Sequence, residues 1–563
     1  MSSHKFEMSD EPEVLSLKEL PNQAQAEATA DEFSAISNLY QPLNEDDITI
    51  ENANKAPIPL MTPYFIHQKI KKMKHNSATL KGDIPVKIIK MFAHELSFPL
   101  SNIFIRCCNA GEYPDIWKLE TVTPVPKKYP AEGPNNLRKI SGTLNFSKLF
   151  EKFLAEAIVT DMAPNHDQSQ YGNRKGVSTQ HYLIKLLHRI LVSIDKSSKN
   201  ESYAAILHLI DWQQAFDRQC HTLGIQSFVK NGVRSSIIPV LMSYFKDRRM
   251  QVKWHNTMSS IRSMPGGGPQ GCHLGQLEYL SQSDKSGDCV ADEDKFKFID
   301  DMSLLEILNL IACGLLEYDF TQHVASDIPT EGKFLDTQNC KSQKILDEVV
   351  KWTENNKAKL NENKTQVMIF NPTKNHQFGI RLHMNGKLLE TVDKVTLLGT
   401  IISTDLTWSS NTHYIVRKAY QRLEIIKKLY TFSVPTEDLV HIYILYVRSI
   451  LEFNCCVWHF SLTAEDRQEI ERVQKIACKI ILKNNYSSYL DALVTLKLET
   501  LNDRRENLCE RFAKKCVKGP PQVANMFPID HTRHSNKFQV TFARHDRLLH
   551  SAIPQMQRIL NRM

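Results

Sequence analysis

Two adjacent acids, Asp300 and Asp301, interrupt an apolar stretch that otherwise has the character of a buried hairpin, KFKFIDDMSLLEIL (295–308). An Asp-rich turn between two strands is one interpretation, because Asp is common in turns. A second apolar run, YAAILHLIDW (203–212), contains Asp211 near its end, and its continuous apolar character predicts a central strand. If the two strands are neighbours, the three carboxylates converge at one end of a sheet.

Three unpaired carboxylates at one point repel one another, and each resists ionisation. A divalent cation removes that conflict, and hard oxygen ligands suit Mg²⁺. Two ions held in this way can activate an attacking hydroxyl and stabilise a leaving pyrophosphate. The pattern therefore predicts a metal site at the tips of the strands. Three unrelated surface acids are the alternative that spacing alone leaves open.

The chain of 563 residues is too long for one ordinary core, and its 42% hydrophobic and 24% charged residues are typical of a folded protein. The net charge of +7 is uneven, since residues 1–55 carry −9 and the rest carries +16. The acidic leader predicts a disordered tail. The basic body favours a polyanionic partner.

The twelve cysteines are scattered, with no C-x-x-C motif and no zinc-type spacing with His, so they predict buried reduced thiols. The N-terminus lacks the apolar core of a secretory signal, and no uninterrupted apolar run approaches membrane-spanning length. We therefore expect an intracellular protein, in the nucleus, the cytoplasm or both, with no membrane partner.

A series of sequence blocks resembles the reverse transcriptases of non-LTR retrotransposons of the jockey and LINE type. The palm-like blocks are LIDWQQAFDR, PGGGPQGCHLG, FKFIDDMSLLE, WTENNKAKLNENKTQVMIF and VTLLGTIIS. Fingers-like blocks precede them (GEYPDIWKLETVTPVPKK, NNLRKISGTLNFSKLFEKFL and SQYGNRKGVSTQHYL), and a thumb-like block, YVRSILEFNCCVWHFSLTAEDRQEIERVQKIACKIIL, follows. The resemblance covers residues 60–520, approximately, in order, which greatly weakens the turn-only interpretation of Asp300 and Asp301.

The resemblance implies an α+β right-hand polymerase fold with fingers, a palm built on an antiparallel sheet, and a helical thumb. The implied boundaries, in chain order, are an acidic disordered tail at 1–55, fingers at 56–200, a palm with the template and nucleotide loop and the primer-grip strands at 201–404, a thumb at 405–490, and a helical, basic extension at 491–563.

The catalytic roles of the family transfer to four residues. Asp211 and Asp300 match the principal metal ligands, and Asp301 matches the second acid of the motif, for which a supporting role and a turn role both stay open. Lys364, in LNENKTQ, matches a lysine that protonates pyrophosphate as a general acid, with a surface lysine as the alternative. The implied cofactor is Mg²⁺, with Mn²⁺ as a substitute.

Nucleotide contacts are implied for Arg138, Lys127, Phe216, Gln270 and Gly268. Arg138 and Lys127 would face the triphosphate. Phe216 would act as a steric gate against a 2′-hydroxyl, the atom that separates RNA from DNA precursors. The glycines of GGPQG would let the backbone approach the base pair and sugar. Core packing is the alternative for Phe216, a solvated basic arm for Lys127, and a plain turn for the loop.

These matches imply an RNA-directed DNA polymerase that extends a DNA primer on an RNA template with dNTPs. Leu398 and Gly399 match the strand pair that grips the primer. Relatives commonly carry an endonuclease ahead of the polymerase, and residues 1–55 are too few for one, so nicking is expected from another chain. Three blocks, LKGDIP, RKIS and FIDD, differ from the usual sequences of the family, and none of these differences removes a required carboxylate. An inactive or domesticated nucleic-acid-binding remnant and an interaction protein with incidental acids remain the alternatives.

Overall fold

The computed structural model describes residues 21–50, 54–127, 133, 136–198, 201–313, 315, 318–319, 324–325, 334–335, 341–371, 378–532 and 535–562. Its α-helices, in chain order, are α1 (Asn22–Ser37), α2 (Pro63–Lys71), α3 (Val86–Met91), α4 (Ala93–Ala110), α5 (Asn145–Met162), α6 (Thr179–Asp195), α7 (His221–Lys230), α8 (Ile238–Phe245), α9 (His273–Gln282), α10 (Ser342–Asn356), α11 (Ser409–Thr431), α12 (Thr436–Ile442), α13 (Ser449–Glu452), α14 (Cys455–Trp458), α15 (Ala464–Leu482), α16 (Tyr489–Thr495), α17 (Leu501–Val517), α18 (Pro521–Ala524), α19 (Asp546–Leu549) and α20 (Ala552–Arg562).

The longer β-strands in the same residues all belong to two sheets. In chain order, the β-strands are β1 (Leu119–Pro126), β2 (Leu137–Gly142), β3 (Tyr203–Ile210), β4 (Arg249–Trp254), β5 (Thr257–Met258), β6 (Arg262–Ser263), β7 (Lys295–Phe298), β8 (Asp301–Asn309), β9 (Tyr318–Asp319), β10 (Val324–Ala325), β11 (Phe334–Leu335), β12 (Gln366–Phe370), β13 (Gly379–Ile380), β14 (His383–Met384), β15 (Lys387–Leu388), β16 (Glu390–Thr391), β17 (Lys394–Leu397), β18 (Thr400–Ser403), β19 (Ile529–Thr532) and β20 (Ser535–Phe538). The mixture of helices and sheets confirms the predicted α+β class.

The chain forms two compact units, each assembled from separate stretches of sequence. The first unit comprises Met1–Asp167, Trp212–Ser286 and Trp352–Lys359. The second unit comprises Gln168–Asp211, Gly287–Lys351 and Leu360–Met563. The boundaries inferred for fingers, palm and thumb stay predictions.

The sheet of the first unit has the order β2-β1-β4-β5, with β6 also pairing with β4. Strand β1 is antiparallel to β2 from Thr121 to Pro126 and parallel to β4 only from Leu119 to Val122. Pro124 and Pro126 therefore lie where β1 has a single neighbour, which is where a strand tolerates residues that lack an N–H group. This placement explains how two prolines fit in the arm LETVTPVPKK.

Helix α1 corrects the prediction that residues 1–55 form a disordered tail. Ala26, Ala30 and Phe33 lie on one helical face and are buried, and Ala30 and Phe33 pack in the apolar cluster under the first unit's sheet. The backbone oxygen of Phe33 also accepts a hydrogen bond from Lys139 Nζ at 2.8 Å. The prediction was based on net charge and overlooked this apolar stripe. Residues 1–20 lie outside the described part of the chain.

The sheet of the second unit has the order β16-β12-β3-β8-β7. The central strand β3 is antiparallel to both β12 and β8, and its side chains are buried along almost the whole strand. Helix α6 packs on the sheet, and Tyr182 Oη donates to Ser303 Oγ of β8 at 2.6 Å. Burial on both faces is the reason that β3 is continuously apolar, and the prediction of a central strand there is confirmed.

One described stretch, Thr436–Ser461, has the length and apolar composition of a membrane-crossing helix, and 39% of its apolar window is buried inside the protein. Core helices of folded proteins pass the same test, so the stretch is weak evidence for a membrane span. It is also not one continuous helix, because Phe453 is extended and Asn454 is left-handed between α13 and α14. Tyr443 and Val447 pack in the second unit's apolar core.

Candidate catalytic site

The Asp-Asp motif forms the turn of the hairpin between β7 and β8. Phe298 pairs with Asp301 across the hairpin, so Ile299 and Asp300 form the turn, and Asp301 begins β8. Ile299 has a φ of 60°, a left-handed conformation that a β-branched residue rarely adopts. Both Asp300 and Asp301 have exposed side chains. The predicted hairpin is confirmed, and its turn is held in a strained backbone conformation.

Gln170 holds that strained turn in place from a distant part of the sequence. Its side chain is buried, its Oε1 accepts from Ile299 N at 2.8 Å, and its Nε2 donates to Ile299 O at 3.4 Å. Gly172 leaves room for the turn, since a Cβ there would lie 2.5 Å from Ile299. A strained residue persists where its surroundings fix it. The contacts of Gln170 and Gly172 with Ile299 therefore fix the backbone next to Asp300. Gln170 was missed by the sequence analysis, although it lies in the quoted block SQYGNRKGVSTQHYL.

Strand register brings Asp211 to the same sheet end as the hairpin. Ile210, the last residue of β3, pairs with Met302, so the next residue on each strand, Asp211 and Asp301, lies at one edge. Asn361 Nδ2 donates to Asp211 Oδ2 at 2.9 Å, and Asp211 N donates to Thr365 Oγ1 at 3.2 Å. Asn361 and Thr365 were not predicted from the sequence, although they lie on either side of Lys364 in the same short stretch.

The electrostatics of the site follow from this clustering. Partial desolvation, followed by the charges of Asp300 and Asp211, raises the pKa of Asp301 to about 6. Burial also raises the pKa of Asp211, against the opposing effects of the Lys364 charge and the Asn361 hydrogen bond. Lys364 itself is exposed. The charges of Asp211 and Asp300 therefore contribute to the raised pKa of Asp301. The positive charge of Lys364 opposes the rise in the pKa of Asp211.

We expect Asp301→Asn to raise the thermal midpoint of the metal-free protein at pH 7 by about 1–2 °C, a small shift because the side chain is exposed. The folded-state pKa of Asp301 lies above its ordinary value of 3.8, so the wild type loses stability as pH rises from 3.8 through about 6. The variant has no proton to lose there, so it does not acquire the destabilising negative charge. Scanning calorimetry in EDTA from pH 4 to 8 measures the difference.

The gap between the wild type and Asp301→Asn should be absent at pH 4 and complete by pH 7. Asp347→Asn is the matched control, because Asp347 is an exposed acid on α10 whose carboxylate accepts from Gln343 on the same helix. An equal gap at pH 4 and pH 7 would show that repulsion among the three acids is not the cause.

The GGPQG loop is held within the first unit by hydrogen bonds to β2 and to the segment after β3. Gln270 O accepts from Ser141 N of β2 at 2.9 Å, and Gln270 Nε2 donates to Asp217 Oδ1 at 3.5 Å. Lys139 forms an ion pair with the same Asp217 at 2.9 Å. Lys139 belongs to the departure RKIS, and its side chain forms a buried link between β2 and the segment after β3. The sequence pattern gave no sign of this ion pair.

Phe216 lies against the same loop. Its backbone oxygen accepts from Gly268 N at 2.8 Å, and its ring packs at 4.9 Å, centroid to centroid, from Tyr279 of α9. A Cβ on Gly268 would clash with the Gln219 side chain, which gives a packing reason for glycine. Phe216 is half-buried. The gate and the core interpretations of Phe216 both stay open.

The two basic residues predicted to contact a triphosphate lie on the β1–β2 hairpin. Arg138 pairs with Val125 in register, and Lys127 N donates to Asn136 O at 2.8 Å. Both side chains are exposed. The hairpin presents two cations to solvent within the first unit, and their roles stay predictions.

Leu398 and Gly399 form the tight turn between β17 and β18. Their φ values of 47° and 79° are both positive, the pattern of a two-residue type I′ turn. A Cβ on Gly399 would lie 2.9 Å from the Phe453 ring. The turn is buttressed by Asn454 Nδ2, which donates to Leu398 O at 3.3 Å. The expected strand pair is present, with glycine required by backbone conformation and by the close approach.

The predicted residues fall into two groups by compact unit. The catalytic candidates and the primer-strand turn lie in the second unit, namely Asp211, Asp300, Asp301, Lys364, Leu398 and Gly399. The nucleotide-contact candidates lie in the first unit, namely Lys127, Arg138, Phe216, Gly268 and Gln270.

Comparisons with known proteins agree with the resemblance. No protein-family model matches the chain. It is 28% identical over 370 residues to the probable RNA-directed DNA polymerase from transposon BS of Drosophila melanogaster, which covers 63% of this chain and 36% of that protein. The corresponding protein from transposon X-element of the same species is 28% identical over 271 residues, or 45% of this chain and 29% of that protein.

The RNA-directed DNA polymerase from mobile element jockey of Drosophila melanogaster is 22% identical over 482 residues, which cover 83% of this chain and 49% of that protein. The chain thus spans about a third to a half of the length of these curated relatives. Among solved structures, apo telomerase from Candida tropicalis, truncated from its C-terminal domain, aligns with 56% of this chain and 60% of that chain at 14% identity. Its TM-score of 0.34 is too low to bear on the fold.

Proposed function

We propose that this chain, whose sequence is similar to the RNA-directed DNA polymerases of transposons BS and X-element, extends a DNA primer on an RNA template by nucleotidyl transfer. The observation that carries the proposal is the register of β3, β8 and β7, which puts Asp211 and the Asp300-Asp301 turn at one sheet edge. The raised pKa of Asp301 supports it, since the negative charges of its two neighbours contribute to that shift.

The donor set fits a divalent cation. Carboxylate oxygens are the ligands that Mg²⁺ prefers, and two or more clustered carboxylates are stabilised when a cation offsets their repulsion. Asp211 and Asp300 would hold Mg²⁺, or Mn²⁺ in its place, with Asp301 in support. When bound, the ions would supply activation of the primer 3′-hydroxyl and charge stabilisation at the leaving pyrophosphate.

The remaining roles belong to the side chains of the protein. Lys364 would donate a proton to the departing pyrophosphate, and its charge already acts on Asp211. Arg138 and Lys127 would bind the triphosphate of the incoming dNTP. The turn at Leu398 and Gly399 would hold the primer strand. Positioning and electrostatic stabilisation would account for most of the rate.

The larger assignments are proposals of the same kind. The loop around Gly268 and Gln270 would contact the template base pair and the nucleotide. We assign fingers to residues 56–200, the palm to 201–404 and the thumb to 405–490, with phosphate contacts along the basic helices of the thumb. An intracellular location, in nucleus or cytoplasm, is where such a polymerase would meet its RNA.

The decisive experiment is extension of an annealed oligo(dT) primer on poly(rA) with dTTP. We expect Mg²⁺-dependent products that fall to background when EDTA removes the metal and that return when Mg²⁺ or Mn²⁺ is restored. Extended products resolved on a denaturing gel provide the measurement. UTP in place of dTTP should give little product.

The two alternatives give different results in the same assay. A nucleic-acid-binding remnant would retain the annealed template in a gel shift, with steep salt dependence, and yield no product at any metal concentration. An interaction protein with incidental acids would show neither extension nor retention.

A further inference from the structure

Three cysteine thiols meet inside the second unit, outside the candidate catalytic site. Cys455 and Cys456 begin α14, and Cys509 lies in α17. Their sulfur atoms all lie within 4.8 Å of one another. The three residues are 2%, 2% and 0% exposed, and each is a free thiol. Such spacing is close to that of thiolates sharing one ion, because each Zn–S bond is about 2.3 Å long.

A buried guanidinium lies beside this group. Arg505 precedes Cys509 by one helical turn on α17 and is 0% exposed. Its Nε donates to His459 Nδ1 at 3.4 Å, whereas Nη1 and Nη2 have no hydrogen-bond partner among the described residues. Burial lowers the pKa of His459 to about 3, so that ring is neutral. A fully buried cation needs a negative partner, and no carboxylate hydrogen bond to Arg505 is present in the described part of the chain.

The negative charges that act on Arg505 are that of the Glu471 carboxylate and, when the thiols are ionised, those of Cys455 and Cys509. Three buried thiols whose sulfur atoms lie within 4.8 Å of one another are the arrangement that one divalent cation would hold as thiolates.

We propose that Cys455, Cys456 and Cys509 bind one Zn²⁺ ion as three thiolates. Binding forms three Zn–S bonds and releases the thiol protons to solvent, with no change of oxidation state. Three thiolates and Zn²⁺ together carry one negative charge, and the buried Arg505 guanidinium lies one helical turn from Cys509. A water molecule would complete the tetrahedral shell.

The ion would fix the segment that supports the β17–β18 turn. Asn454, next to Cys455, donates from Nδ2 to Thr400 Oγ1 at 2.9 Å and to Leu398 O at 3.3 Å. Phe453 packs against Gly399. A link between α14 and α17 would hold both residues against the turn. This consequence for primer contact rests on the proposed function, whereas zinc binding does not.

The test is the zinc content of the full-length protein, purified without chelators and measured by inductively coupled plasma mass spectrometry. We expect about one zinc per chain in the wild type and at least a tenfold loss in Cys455→Ser and Cys509→Ser. Cys478→Ser is the matched control, because Cys478 is equally buried in the same core and lies outside the cluster. Circular dichroism checks that each variant is folded.

A second measurement keeps the proposal testable if the serine variants do not fold. The metal-depleted wild type, titrated with Co²⁺, should develop the thiolate-to-cobalt charge-transfer absorption and lose it when one equivalent of Zn²⁺ is added. Wild-type protein with less than a tenth of a zinc per chain and no cobalt band would overturn the proposal. Copper in place of zinc, or a disulfide within the trio, would overturn it as well. Primer extension is measured separately, so failure of the polymerase proposal leaves the zinc result standing.

Discussion

Asp300→Asn is expected to abolish primer extension, with a loss of about 10³-fold or more in rate, while binding of the annealed template is unchanged. The substitution keeps the size of the side chain and removes one of three carboxylates at the edge shared by β3 and β8. In the proposed mechanism, these clustered carboxylates would hold the divalent cation on which the chemistry depends. Single-turnover extension gives the rate, and a filter-binding assay gives the affinity for template and primer.

The matched control for this prediction is Asp347→Asn, which removes an exposed acid from α10 and should change neither rate nor affinity. Equal loss of extension in both variants would indicate general destabilisation. Unchanged extension in Asp300→Asn would contradict the proposed metal site. A loss of template binding in that variant would also contradict it, because Asp300 is proposed to hold metal and to make no contact with the phosphate backbone.

The palm-like sheet was predictable because its signals are local. The continuous apolar run of β3 and the apolar flanks of Asp300 each lie within one stretch of about ten residues, and strand type follows from such patterns. The pairing of the two strands in an antiparallel sheet was implied only by the resemblance, because apolar runs alone do not show which strands are neighbours. The register between β3 and β8 decides whether Asp211 and Asp301 lie at the same sheet edge. Ile210 pairs with Met302, so the two acids lie next to the last pair of this ladder.

The supporting contacts were not predictable because they join residues that are distant in sequence. Gln170 holds Ile299 across 129 positions, and Asn361 binds Asp211 across 150. Neither residue type has a pattern that marks it, since a buried amide depends on tertiary neighbours for its hydrogen bonds.

The thiol trio was missed for the same reason. Cys455 and Cys456 show no zinc-type spacing with Cys509, which comes from another helix. Sequence rules for zinc sites depend on short spacings within one loop or hairpin, and packing of α14 against α17 brings the third sulfur from far along the chain. Helix α1 was missed for another reason. The prediction for residues 1–55 used their net negative charge and took no account of the apolar stripe on one face of the helix.

Phe216→Ala is expected to reduce the preference for dTTP over UTP by about 10²-fold, chiefly by admitting the ribonucleotide. Phe216 lies five residues after Asp211 in sequence, and its backbone accepts from Gly268 of the loop proposed to contact the nucleotide. Its ring packs on Tyr279 at 4.9 Å, which fixes the orientation of the ring. Removing the ring opens the volume that a 2′-hydroxyl would occupy.

The same substitution also removes packing, so stability and sugar choice must be separated. Loss of a packed Phe ring costs roughly 3 kcal/mol or less at a half-buried position. Phe228→Ala is the control, since Phe228 is fully buried in α7 of the same unit and no role at the nucleotide is proposed for it. It should lower the midpoint of unfolding at least as much as Phe216→Ala and leave the dTTP to UTP ratio of kcat/KM unchanged. If Phe216→Ala destabilises the protein without altering that ratio, Phe216 is a core residue and sugar selection must reside elsewhere.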